Sequence, residues 1–166
     1  MMDEIRLPES FESVWERVRA AAGADAAEAP QSDSEALCGY IERKRASVAS
    51  YRALVAQAGF REREALCRIA ADERRHLSAL EMEHFMLTGD SAAAPKSTYP
   101  KTESGFLSAL RAAALAEAES AAEHEKAAQE RGGELGAVCA AISKDDAEHA
   151  RVLRGMIARC FRLREE

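Results

Sequence analysis

Shifting the chain by 73 residues lays Asp72-Glu73-Arg74-Arg75-His76 onto Asp145-Asp146-Ala147-Glu148-His149, and brings Gly59 onto Gly132, Ile69 onto Ile142 and Leu80 onto Leu153. Only four histidines occur in the sequence, and two coincide at this offset, each with a carboxylate three residues earlier. Self-similarity at a fixed offset means one structural unit used twice. Apolar residues in both copies recur at three- and four-residue spacing, so the unit is helical. Gly59 and Gly132-Gly133 are helix stops, so each unit is a pair of helices joined by a tight turn.

Four long helices follow, over about 33–58, 60–88, 103–131 and 133–164, with Ser32 and Glu35 read as a capping box opening the first. The middle link, from Gly89 to Thr102, is long and carries Pro95 and Pro100. Short, long, short is the connectivity of a ferritin-like four-helix bundle: two helical hairpins joined by one crossover. An all-α chain also suits a composition rich in Ala, Leu, Glu and Arg with only 5% aromatics. Before the bundle, residues 8–22 place Phe11, Val14, Trp15 and Val18 on one face of an extra short helix, and residues 24–33 have little to bury. The chain therefore divides into an N-terminal helix and linker, 1–31, and a bundle, 32–166. Apolar Trp15 points to packing on the bundle or on a second copy.

Charge narrows the function. The 23 basic and 29 acidic residues give a net charge of −6 with both signs interspersed, so nucleic acid is an unsuitable partner. No apolar run reaches the length of a membrane span, and MMDEIRLPES lacks the layout of a signal peptide, so a cytoplasmic protein is expected. Cys38, Cys67, Cys139 and Cys160 stand far apart, without a C-x-x-C pair, and are expected to be free and mostly buried.

Advancing about 100° per residue shows which polar groups face the core. Glu73 and His76 fall on the stripe of Leu66, Ile69, Leu77, Leu80 and Leu87 in the second helix. Asp146 and His149 fall on that of Val138, Ile142, Val152, Leu153, Met156 and Cys160 in the fourth. In the third, Glu117 and His124 face inward with Phe106, Leu110, Ala113, Ala121 and Ala128. The first helix differs: among Leu37, Ile41, Val48, Tyr51 and Val55 the inward charge is Lys44, whereas Glu42 lies about 140° from Leu37. The repeat agrees, setting Lys44 on Glu117 and Tyr51 on His124. Glu81-Met82-Glu83-His84 has the same spacing, but Glu81 points about 80° away from Glu73, and His84 is a core or interface histidine roughly three turns off.

Several buried carboxylates at one depth need a cationic partner. Glu73/His76 and Asp146/His149 can each chelate an ion, with Glu117 bridging, and oxygen-plus-imidazole donors suit iron or manganese. Lys44 offers another solution, because an ammonium repels divalent ions and can neutralise two carboxylates by itself. One ion, two ions or none are the outcomes these residues allow.

The segments LCGYIERKRASVASYRAL, IAADERRHLSALEMEHFMLTG, ALRAAALAEAESAAEHE and ISKDDAEHARVL, between residues 37 and 153, resemble the ferritin-like domain of the rubrerythrin family. That resemblance implies a di-iron centre built from one inward Glu on helices one and three and a Glu-x-x-His on helices two and four. Glu73, His76, Glu117 and His149 match it, Asp146 is a shortened Glu, and Lys44 departs from it. Ser120 stands where the family carries an extra carboxylate and His124 where it carries a tyrosine, while Tyr51 keeps the family's tyrosine. The resemblance further implies a peroxide- or oxygen-reducing oxidoreductase or a ferroxidase, and a homodimer. With no rubredoxin-type cysteines, it also implies a separate electron donor.

Overall fold

A computed structural model of the chain describes residues 31–94 and 105–162. The expected N-terminal helix and most of the crossover lie outside the described residues. Four helices are present among those described: α1 (Gln31–Gln57), α2 (Phe60–Thr88), α3 (Phe106–Glu130) and α4 (Gly133–Arg162), with no strand. Their bounds follow the sequence reading closely. One detail differs: α1 is already helical at Gln31, so Ser32 lies within the helix and is not its cap.

The turns follow from local chemistry. Ala58 and Gly59 alone separate α1 from α2, and Gly59 is extended as α2 begins. Gly89 closes α2 in the left-handed region (φ 76°) and donates its N–H to Phe85 O, a conformation that costs a residue without Cβ nothing. At the α3–α4 turn Gly136 is the tight point, since a Cβ there would stand 2.2 Å from the carbonyl oxygen of Arg131.

Pairing across the bundle fixes its topology. α1 packs on α2 and α3 packs on α4, while α1 also meets α3 and α2 meets α4. Asp33 pairs with Arg131, Arg43 with Glu123 and Tyr51 with Glu117, so α1 and α3 run antiparallel. His76 with Asp145 and Asp72 with His149 make α2 and α4 antiparallel too. The ends of α2 and α3 that the crossover joins therefore lie at opposite ends of the bundle. A helix of 29 residues is about 43 Å long. The seventeen residues from Gly89 to Gly105 reach that far when extended. At the start of this link, Arg45 on α1 donates to Ala93 O (2.5 Å) and to Glu81 Oε1 (2.7 Å), fixing its direction.

Two apolar layers fill the ends of the core. Leu37, Ile41, Leu80, Ala127, Cys139 and Ile142 form one, and Tyr51, Leu54, Leu66, Ile69, Leu110, Leu153 and Met156 form the other. Between them lies a layer of buried charge. Three expectations are corrected here. Leu87, placed on the core stripe, is exposed at the end of α2 beside Met82, Phe85 and Met86. Cys38 and Cys67 are exposed and Cys160 half-buried, leaving only Cys139 in the core. Val48, Val55, Val138 and Val152 are half-buried at the edges of their stripes. No helix among the described residues is long and apolar enough to cross a membrane.

Candidate metal centre

The central layer brings together Lys44 from α1, Glu73 and His76 from α2, Glu117 and His124 from α3, and Asp146 and His149 from α4, all at most 6% exposed. Each faces inward because it occupies a core position of its helix. Burial of this many ionisable groups is tolerable only if they satisfy one another.

Lys44 sits at the centre. Its ammonium donates to Glu73 Oε1 (2.9 Å), Asp146 Oδ1 (2.8 Å) and Asp146 Oδ2 (2.7 Å). An ammonium has no more than three protons to give, so it is fully satisfied. Burial disfavours its charge, but Glu73 and Asp146 outweigh that and raise its pKa. Burial likewise pushes both carboxyls up, yet His76 and Lys44 more than reverse this and hold Glu73 below its ordinary value and Asp146 far below. The Ser120 hydroxyl adds a 2.6 Å hydrogen bond to Asp146 Oδ2.

The two repeat histidines are held in the same way by the opposite half. His76 Nε2 faces Asp145 Oδ2 at 3.1 Å, and His149 Nε2 faces Asp72 Oδ2 at 3.2 Å. Asp72 and Asp145 are themselves related by the 73-residue offset, so each copy of the repeat orients the histidine of the other. The sequence reading passed over these two aspartates. Their coincidence under the offset is the signal that singles them out, since each lies at the edge of its helix's inward stripe and not on it.

The inner nitrogens differ. His76 Nδ1 lies 3.1 Å from Glu73 Oε1 and 3.4 Å from Asp146 Oδ1, so both of its ring nitrogens meet carboxylates. Burial works against its protonation, but Asp146, Glu73 and Asp145 prevail and push its pKa up to about 10. His149 Nδ1 points instead into a space between Glu117 Oε2 (3.4 Å), Asp146 Oδ1 (3.9 Å) and Glu73 Oε1 (4.0 Å). It makes no hydrogen bond there, and neither do Glu73 Oε2 and Glu117 Oε2, all three buried. Burial and the neighbouring Glu73 and Asp146 raise Glu117, even against the nearby His149 ring and the hydrogen bond from Tyr51, and His149 is raised chiefly by Glu117 against its own burial.

Glu73, Glu117, Asp146 and His149 each offer a ligand atom within 4.8 Å of the others. Ligands about 2.1 Å from a tetrahedral ion stand about 3.4 Å apart, so the set is close to the spacing that one ion requires. With Nε2–H given to Asp72, the Nδ1 of His149 would be free to serve as a ligand, the usual arrangement of a metal-binding histidine. Three oxygens and one imidazole nitrogen suit iron, manganese or zinc. The residues present thus fit one divalent ion. They do not fit two, because the ammonium of Lys44 already occupies Glu73 Oε1 and both oxygens of Asp146, the carboxylates a second ion would need.

The remaining sequence candidates surround this set. Tyr51 donates to Glu117 Oε1 at 2.6 Å, and burial first, with that carboxylate second, drives its pKa far upward. His124 gives Nδ1–H to Ser120 O (2.9 Å) and packs on the Tyr40 ring; burial lowers its pKa, and its Nε2 has no partner. Distant His84 meets the carbonyl of Asp90, holding the start of the crossover. Glu42 is exposed and pairs with Arg45, as its angle on the helix required. Neither a protein-family model, nor a curated protein, nor a solved structure matches the chain.

Proposed function

We propose that this chain is a non-haem metalloprotein of the ferritin-like, rubrerythrin-related kind that holds one divalent iron or manganese ion on Glu73, Glu117, Asp146 and His149. Lys44 stands in it as a permanent second cation. The observation that carries the reading is that Glu73, Glu117, Asp146 and His149, all buried, each bring a ligand atom within 4.8 Å of the others, while Glu73 Oε2, Glu117 Oε2 and His149 Nδ1 are left without a hydrogen bond. Hairpin, crossover, hairpin connectivity supports the ferritin-like assignment, as does the repeated carboxylate-x-x-His on facing helices.

Charge bookkeeping favours a divalent ion. Glu73, Glu117 and Asp146 bring three negative charges and Lys44 one positive. Two protons, one on His76 and one shared by Glu117 and His149, balance the layer without metal. One divalent ion balances it with those protons gone. Uptake must therefore release the proton of the Glu117–His149 pair, since both are ligands, and neutrality favours release of the second. Iron or manganese supplies one-electron chemistry towards dioxygen or peroxide when bound. The protein's own part is to fix the donors and to hold Tyr51 as a hydrogen-bond donor to Glu117. A separate electron donor and a homodimer belong to the same reading.

A second reading keeps the bundle free of metal as a binding or structural module. It is favoured by the complete satisfaction of Lys44 and by the neutral, protonated layer. Anaerobic titration of the apo-protein with Fe(II) or Mn(II), performed in two buffers of different ionisation enthalpy, separates the two. One ion per wild-type chain with one to two protons released is expected, and two ions for Lys44→Glu. No ion in either protein leaves the module, and two ions in the wild type remove the role given to Lys44.

A further inference from the structure

The polar layer is sealed by α4 on one side but not on the other. Between α1 and α3 lies a cavity of about 550 Å³. Its apolar walls are mostly single methyls, Ala46 and Ala53 on α1 and Ala109, Ala112, Ala113 and Ala116 on α3, with Leu54 beside them, and Ser47, Ser50, Gln57, Glu119 and Ser120 add polar edges. Larger residues at these positions would close the two helices together. Its floor is Lys44, Tyr51, Glu73 and Glu117, the same groups that form the centre. Glu73 and Glu117 on this floor each keep one buried oxygen without a hydrogen bond. Ala112 and Ala116 are exposed, so the cavity opens to solvent, and the ion pair of Arg43 with Glu123 (2.7 Å) crosses from one wall to the other at its rim.

We propose that this cavity is a binding site for an uncharged aliphatic molecule bearing one terminal oxygen function, entering between α1 and α3 with its oxygen toward the polar floor. Volume and an alanine lining suit a flexible apolar body, and pockets of this size are usual for small organic ligands. Charge selects an uncharged one. An anionic end would face the carboxylates of Glu73 and Glu117, a cationic end would face Lys44, and Arg43 at the rim is already paired. The placement of the oxygen beside the metal rests on the reading above; the cavity's preference for an aliphatic body does not.

Calorimetric titration with hexanol, octanol and decanol tests this, on the full-length protein with and without Mn(II). Affinity should rise about fourfold for each added methylene, the ratio expected for burying a CH₂. Ala112→Phe and Ala53→Phe, which fill the cavity from opposite walls, should each weaken decanol at least tenfold while circular dichroism and Mn(II) stoichiometry stay as in the wild type. Binding that ignores chain length, or that survives both substitutions, overturns the proposal. So does sedimentation showing a dimer that either substitution dissociates, because a second copy then covers the groove. If decanol binds and is blocked as expected but Mn(II) does not bind at all, the metal reading fails and the cavity assignment stands.

Discussion

Replacing Lys44 with Met removes the ammonium, keeps an unbranched side chain of similar size, and isolates the energetic role of the central charge. Glu73 and Asp146 are 0% exposed and lose their only ammonium partner in this variant. Removing one member of a buried ion pair costs about 3–5 kcal/mol, most of it from the charge left behind. For a domain of this length that lowers the melting temperature on the order of 10–15 °C at pH 7 without metal. The pH dependence should also reverse. In the wild type both carboxyls are held below their ordinary values, so their contribution is present above about pH 4 and is lost as the pH falls through the folded values. Without Lys44, burial acts with less opposition, the folded values rise, and acidification narrows the gap to wild type by protonating the pair. Mn(II) should narrow it as well, by supplying the missing charge. Thermal unfolding followed by circular dichroism from pH 4.5 to 8, with and without Mn(II), measures all three effects. A Lys44→Met protein within about 1 kcal/mol of wild type at pH 7, with an unchanged pH profile, refutes the assignment of Lys44 as the neutralising cation.

Two further outcomes follow. If His149 is a ligand as proposed, Asp72→Asn should weaken metal binding by roughly tenfold to a hundredfold, because Asp72 orients its ring, whereas Asp145→Asn, acting on His76, should change it far less; equal losses in a metal titration would return His76 to the ligand set. Gly136→Ala should lower stability by about 1–3 kcal/mol in chemical denaturation, since the added Cβ meets a backbone carbonyl that cannot move aside, and should leave metal stoichiometry intact.

The fold was legible because its signals are local and repeated. Helix ends are marked by glycines, and the 73-residue offset doubles each apolar stripe, so errors in one copy are corrected by the other. The centre was legible to the same extent: helical angles picked Lys44 over Glu42, and the structure buries the first and exposes the second. What sequence spacing did not reveal is which groups meet. Glu117 looked like a bridge between two chelating pairs, but in the bundle it sits beside His149, and Glu73 and Asp146 converge on Lys44. Such pairings depend on the relative heights of four helices, which periodicity along one helix does not encode. Asp72 and Asp145 escaped for a related reason, since each lies at the edge of its helix and matters only through the helix it faces. The α1–α3 cavity is likewise invisible in sequence, where alanine at a core-facing position reads as helix propensity.

The repeat gives the centre a near two-fold frame. His76 and His149 exchange aspartates, and Glu73 and Asp146 face each other across the axis. A symmetric frame of this kind would offer two equal ion positions. Symmetry fails where α1 presents Lys44 and α3 presents Glu117. A glutamate at residue 44 would bring the buried carboxylates to four, the number that balances two divalent ions, while a lysine leaves three carboxylates and one ammonium, which balance one. The ammonium shares Glu73 Oε1 and Asp146 Oδ1 with His76, whereas the unpartnered Glu117 Oε2 and His149 Nδ1 stand 3.4 Å apart, so the proposed ion would sit on the His149 side. In the proposed centre the residue at position 44 would therefore set the ion count and the side on which an ion sits, and it also lies on the floor of the α1–α3 cavity. On this argument Lys44→Glu should add an ion without moving the first, and the histidine whose proton titrates with the added ion should be His76.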